Sequence, residues 1–316
     1  MLVFIVSEIN VLYCFDNNFW KLAAVSIRSL VLTQKKTTRV NLYCMVAPHT
    51  RGRRVIQKLV NEIGGRLIWR EKKRRENPYR GYDYSRWSPV IFYRLFASEI
   101  FPQLDKILYI DSDTLIRDDL SKLYNTDVRK YAMGAVRDMA PVEIKDHPTG
   151  KYVREFIEKY LKHGLYINSG VLLMNLQKFR TMQSDLLGVS VPLKYPDQDI
   201  LNVALDGKIL SLPLKYNVIP DLHLYPRAFS AQERKESRDH PVISHCYATK
   251  PYVYDPREIY SVFYKTCVPL GFYPEDFIKA DKKRWSKRNK YSSRTHIPHL
   301  RLTRRGYLRL FGILRV

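Results

Sequence analysis

Short apolar runs alternate with stretches in which apolar residues recur at helical spacing, and this alternation defines the first half of the chain. Val11 to Phe15 reads as a strand closed by Asp16-Asn17-Asn18, and Leu22 to Leu32 as a helix. Val40 to Val46 predicts a second strand, Thr50 to Ile63 a second helix, and Gly64-Gly65 a stop before a third strand at Leu67-Ile68-Trp69. Strand and helix in turn predict a parallel sheet covered on both faces. Ser88-Pro89 supplies a cap and first turn for a helix through Phe92, Leu95, Phe96 and Ile100, with Arg94 inside it.

The run Lys106 to Ile110 then ends abruptly in Asp111-Ser112-Asp113. Residues i and i+2 of extended chain point the same way, so Asp111 and Asp113 can aim at one point beyond the carboxyl end of a buried strand, where open α/β sheets bind ligands. Two carboxylates suit a hard divalent cation such as Mn or Mg. An acidic pair after a strand is also a common solvated turn, so the pair needs support from elsewhere.

Three later strands offer it. Ala132 to Asp138 ends in an acid, and Tyr166-Ile167-Asn168-Ser169-Gly170 places an amide, a hydroxyl and a glycine at the mouth of the strand through Leu176. Val242-Ile243-Ser244-His245 closes on an imidazole, a further ligand type for Mn, with Lys250 just beyond. Between them Tyr195-Pro196-Asp197-Gln198-Asp199 opens an apolar helix with acids where the helix dipole favours them, and Asp197 either caps the helix or, with Gln198, hydrogen-bonds a sugar.

Composition narrows the partners. The 316 residues carry a formal charge of +23, which calls for an anionic partner. From Lys279 onward thirteen Lys or Arg face one acid, Asp281, and are interleaved with Trp285, Tyr291, Tyr307, Phe311 and several leucines. That mixture fits an amphipathic segment lying on anionic lipid better than a nucleic-acid arm, for which no fold signature is present. The basic stretch around Arg70 to Arg80 reads as a surface loop. Cys14, Cys44, Cys246 and Cys267 are scattered, which argues against a zinc knuckle or disulfide framework and for a reducing cytosol. Met1 to Val6 lacks the features of a signal peptide, and no run reaches the roughly eighteen apolar residues of a spanning helix. Membrane contact is therefore expected to be peripheral.

Taken in order, Phe15-Asp16-Asn17-Asn18-Phe19, Tyr93-Arg94-Leu95, Leu108 to Asp113, Gly134 to Asp138, Ile167 to Leu173, Asp197 to Asn202 and Ser244-His245 resemble glycosyltransferase family eight, the retaining enzymes that include bacterial lipopolysaccharide galactosyl- and glucosyltransferases and glycogenin. The resemblance, which spans roughly Val11 to Tyr252, implies a GT-A fold, a Rossmann-like and mostly parallel α/β sheet; the catalytic domain is expected over residues 1–265, and the charge pattern makes 266–316 a basic, aromatic segment expected to attach peripherally to the inner face of the cell membrane. It implies a UDP-hexose donor, a glycan or glycolipid acceptor, and Mn or Mg held by Asp111, Asp113 and His245. Asp16, Asn18 and Lys250 match nucleotide-binding positions. Arg94, Asp138, Asn168 and Ser169 match the donor-sugar pocket, and Asp197 and Gln198 the catalytic positions. One departure is Ala248, where the family usually has glycine. A nucleotide-sugar-forming nucleotidyltransferase would share the sheet and the metal, but it carries a glycine-rich basic signature after the first strand, which Asp16-Asn17-Asn18-Phe19 is not. A basic nucleic-acid-binding module is the rival from outside enzymology.

Overall fold

The computed structural model describes residues 7–73, 79, 88–143, 148–219, 227–247, 252 and 258–280. Among the described residues seven strands form the central sheet, in the order β3-β2-β1-β4-β7-β6-β8. These are β1 Ser7–Phe15, β2 Thr38–Val46, β3 Arg66–Glu71, β4 Lys106–Ile110, β6 Met133–Arg137, β7 Ile167–Asn175 and β8 Ile209–Ser211. A separate ribbon pairs β5 (Thr114–Ile116) with β9 (Ile243–His245). Helices α1 (Trp20–Thr33) and α2 (Arg53–Glu62) connect the first three strands, as expected. The side chains of Leu22, Val25, Ile27 and Leu30 on α1 are buried, and so are those of Ile56, Leu59 and Val60 on α2.

The sheet is mostly parallel, but β7 runs against both its neighbours, β4 and β6. This reversal decides where the site forms. The carboxyl ends of β1, β4 and β6 lie at one edge of the sheet, and an antiparallel β7 brings its amino end to that same edge. Ile110 pairs with Val171 and Arg137 with Ile167. Asn168, Ser169 and Gly170 therefore stand between the ends of β4 and β6.

Two element boundaries differ from the sequence reading for local reasons. The second helix begins at Arg53, because Gly52 adopts φ +88° beside the Trp20 ring, and a Cβ there would lie 2.4 Å from that ring. The helix expected after Ser88 is a 3-10 helix from Pro89 to Phe96, followed by a short α-turn. Ser88 caps it as expected, its Oγ accepting from Val90 N–H.

The contacts divide the chain into two units, Met1–Asp276 and Phe277–Val316. The boundary expected after residue 265 falls within a helix of the first unit, Glu258–Cys267, and Phe272 in the same unit packs edge-on to Trp20. All four cysteines are buried and none forms a disulfide. Among the described residues no helix is long and apolar enough to cross a membrane.

Candidate active site

Asp111 leaves β4 with its N–H donating to Gly170 O at 2.8 Å, so the Asp-Ser-Asp turn is tied to β7 at once. The chain then enters β5, whose Thr114 pairs with His245, and Cys246 N–H donates to Asp113 O. The ribbon thus lays the last residue of β9 over the two acids. His245 Nε2 lies 3.3 Å from Asp113 Oδ1 and 3.7 Å from Asp111 Oδ2. Their ligand atoms all fall within 4.8 Å of one another, the one such cluster among the described residues.

The cluster fits a hard divalent cation. Nε2 is buried yet makes no hydrogen bond, an arrangement that costs free energy unless something else meets its lone pair. The donor set of two carboxylate oxygens and an imidazole suits Mn or Mg. Gly170 completes the cradle: a Cβ there would lie 2.0 Å from the imidazole, so only glycine lets β7 pass behind His245.

Arg94 does not reach for water. Its side chain is 5% exposed and bridges two acids, with Nη2 3.0 Å from Asp111 Oδ1 and Nη1 3.2 Å from Asp197 Oδ2, while Nη1 also donates to Ser169 O. Burial works against its charge, but the two carboxylates outweigh burial and hold the guanidinium above its ordinary range. Tyr109 adds an O–H donated to the same Asp111 Oδ1, and its ring lies 4.0 Å from the guanidinium carbon. Oδ1 of Asp111 is therefore engaged, and Oδ2 is the oxygen turned toward His245.

A second set continues from Arg94 along β7 and α3, the helix Pro196–Ala204. Ser169 O–H donates to Asp197 and Ser169 N–H to Gln198 Oε1. Gln198 Nε2 and Asn168 Nδ2 both donate to Asp138 Oδ2, and Ala140 N–H donates to Oδ1. Burial pushes the Asp138 and Asp197 carboxyls up, countered at Asp197 by Arg94. Asp111, Asp113, His245, Arg94, Asp138, Asn168, Ser169, Asp197 and Gln198 thus share one sheet edge. Asp16 and Asn18 form a turn of their own after β1, with both Asn18 nitrogens donating to Asp16, whose Oδ2 also accepts from Ser88. Lys250 lies outside the described residues.

Four residues of this edge are absent from the sequence-based set. Tyr109 was within reach of the i, i+2 rule that paired the two acids, since it shares a strand face with Asp111. Asp199 accepts from Tyr166 and Tyr152 hydroxyls and from the N–H groups of Lys194 and Tyr195, and so anchors the start of α3. Asn202 pairs with both backbone groups of Ile167, locking α3 to β7. Asn217 Oδ1 lies 2.9 Å from His245 Nδ1, within hydrogen-bond distance. Nothing local marks Asn217 out; it follows a 3-10 turn and reaches the site through tertiary pairing of Val218 with Ser244.

The model of the family described as Glycosyl transferase family 8 matches residues 10–255. The chain belongs to that family. The family is one of glycosyltransferases, and the chain has a GT-A-like fold. It is 33% identical over 140 residues to the lipopolysaccharide 1,2-glucosyltransferase of Escherichia coli K12, which covers 42% of this chain and 39% of that protein. It is 26% identical over 222 residues to a putative glycosyltransferase of Haemophilus influenzae, covering 67% and 63%. The chain thus spans less than two thirds of the length of each of these relatives. The crystal structure of the galactosyltransferase LgtC with donor and acceptor sugar analogues superposes with a TM-score of 0.65 over 86% of this chain and all of LgtC, at 20% identity.

Proposed function

We propose that this family 8 enzyme is a retaining hexosyltransferase that moves galactose or glucose from a UDP-sugar to a glycan or glycolipid acceptor in lipopolysaccharide or capsule synthesis. The observation that carries the reading is the continuity of the site: an Asp-Asp-His cluster suited to Mn or Mg shares Arg94 with a set of buried amides, hydroxyls and carboxylates able to bind a sugar. Similarity to the Escherichia coli lipopolysaccharide glucosyltransferase supports the acceptor class.

A cation held by Asp111, Asp113 and His245 would supply Lewis-acid stabilisation for a diphosphate leaving group. In this reading Asp16 and Asn18 hold the uridine and Lys250 the diphosphate, while Arg94, Asp138, Asn168 and Ser169 orient the hexose. Arg94 lies between Asp111 and Asp197, and its positive charge offsets the repulsion between the two carboxylates. Gln198 is an amide and a poor nucleophile, and Asp197 is engaged by Arg94 and Ser169. Both stabilise positive charge at the anomeric carbon rather than attack it. Retention then follows from front-face attack. The acceptor oxygen bonds to the anomeric carbon, the bond to the phosphate oxygen breaks, and the departing phosphate takes the hydroxyl proton. The basic, aromatic segment after Lys279 holds the enzyme on the anionic cytoplasmic face of the membrane, where glycolipid acceptors lie.

A panel of UDP-sugars, assayed for hydrolysis and transfer with and without Mn, tests the reading. Release of UDP from UDP-galactose or UDP-glucose, lost in EDTA, is the expected result. Asp111→Asn and Asp113→Asn should each cost more than the about 10–100-fold typical of losing an outer-sphere partner. Full activity in EDTA, or in either variant, would remove the cation from the mechanism.

A further inference from the structure

The direction of one buried hydrogen-bond chain settles which imidazole nitrogen of His245 faces the acids. Asn168 Oδ1 accepts from the backbone N–H of Gly170 at 3.1 Å, and a backbone N–H can only donate. The Asn168 amide is therefore oriented, with its Nδ2 toward Asp138. Asn217 meets the same Oδ1 at 2.9 Å, so it must present its NH2 there and its own carbonyl oxygen to His245 Nδ1. Nδ1 must then carry a proton, so in the neutral imidazole the lone pair is at Nε2, the nitrogen facing Asp111 and Asp113. Asn168, Asn217 and His245 are 9%, 4% and 2% exposed, so water does not compete for these positions.

We infer that Asn217 is a positioning residue that fixes the imidazole tautomer of His245 for cation binding and couples the cation site to the sugar-side Asp138 through Asn168. The inference rests on the reading of Asp111, Asp113 and His245 as a cation site. Its two halves use different atoms of one side chain. Oδ1 sets the tautomer, as outer-sphere acceptors do for metal-bound imidazoles; Nδ2 holds Asn168, which in turn donates to Asp138.

Substitution separates the halves. Asn217→Ala removes both and should weaken Mn binding by about 10–100-fold, measured on the full chain by counting free Mn with electron paramagnetic resonance. Asn217→Asp keeps an oxygen for Nδ1 but cannot donate to Asn168. It should recover most of the Mn affinity while raising KM for the UDP-sugar more than it lowers kcat. Nitrogen-15 spectra of histidine-labelled protein should show His245 protonated at Nδ1 in the parent and in Asn217→Asp, and as a mixture of tautomers in Asn217→Ala. Thermal melts show whether each variant is folded, and the near-isosteric Asn217→Asp keeps the test open should Asn217→Ala unfold. If the parent binds no Mn, the cation reading itself fails. If the parent binds Mn and Asn217→Ala binds it equally, or if both variants lose affinity alike, the tautomer role of Asn217 is overturned.

Discussion

Both ends of the Gln198 amide are occupied, Oε1 by Ser169 N–H and Nε2 by the Asp138 carboxylate, so this side chain ties β7 and the end of β6 to α3. Its truncation removes the neutral dipole between Ser169 and Asp138, and leaves the buried Asp138 carboxylate with one donor fewer. Gln198→Ala is expected to lower transfer by about a hundredfold, the scale of losing one preorganised dipole, with UDP affinity unchanged. Calorimetry with UDP beside steady-state transfer checks it; weakened UDP binding with normal turnover would move Gln198 to the nucleotide. Cys14 lies in the same electrostatic neighbourhood, and burial pushes its thiol well above the ordinary range, so it stays a neutral, apolar neighbour of Arg94.

At the scale of elements, the site depends on α3 being fastened to β7, and Asn202 is the fastener. It is fully buried, accepts from Ile167 N–H and donates to Ile167 O and Gln198 O. Asn202→Ala strands a buried donor and acceptor, which should cost about 3 kcal/mol and lower the urea midpoint accordingly. The turn after β5 offers a pH test. Asp119 accepts from the N–H groups of Lys35 and Ser121 and from Thr38 O–H. Burial works to raise its carboxyl, but these donors outweigh burial and hold it below the usual range. A depressed carboxyl contributes stability that is complete above its unfolded value and lost as pH falls through the folded one. The stability gap between the parent and Asp119→Asn should therefore be full at neutral pH and close below about pH 4, as followed by urea melts across pH. The strands of the first half were legible because β1 and β2 are near-continuous apolar runs buried on both faces, and the helices because their apolar residues recur at helical spacing. The acids Asp111 and Asp113 were legible because they interrupt an apolar run. The reversal of β7 was not, since nothing within Ile167–Asn175 encodes strand direction; it is set by hydrogen bonds to β4 and β6. The 3-10 winding around Arg94 was not legible either, because Arg94 is drawn inward by Asp111 and Asp197, residues distant in sequence.

At the scale of the whole molecule, charge and chemistry are segregated along the chain. None of the residues gathered at the sheet edge lies beyond His245, whereas thirteen of the basic residues lie from Lys279 onward. Truncation before Lys279 removes those thirteen bases and one acid, so the formal charge falls from +23 to +11. Each basic residue near an anionic surface is worth about 1 kcal/mol, so even partial engagement of the segment would dominate adsorption to lipid. The bases left in the first unit include pairs with acids, as Arg39 is with Glu8 and Arg53 with Glu71, and the basic stretch around Arg70 to Arg80. The truncated chain is expected to hydrolyse the UDP-sugar at the parent rate and to lose sedimentation with phosphatidylglycerol vesicles. Adsorption of the parent should weaken with added salt, because exposed charges are screened over about 10 Å at 0.1 M ionic strength. Unchanged sedimentation after truncation would assign membrane contact to the first unit. Loss of UDP binding on truncation would place the segment within the catalytic unit, and the two outcomes are told apart by measuring both on the same preparation.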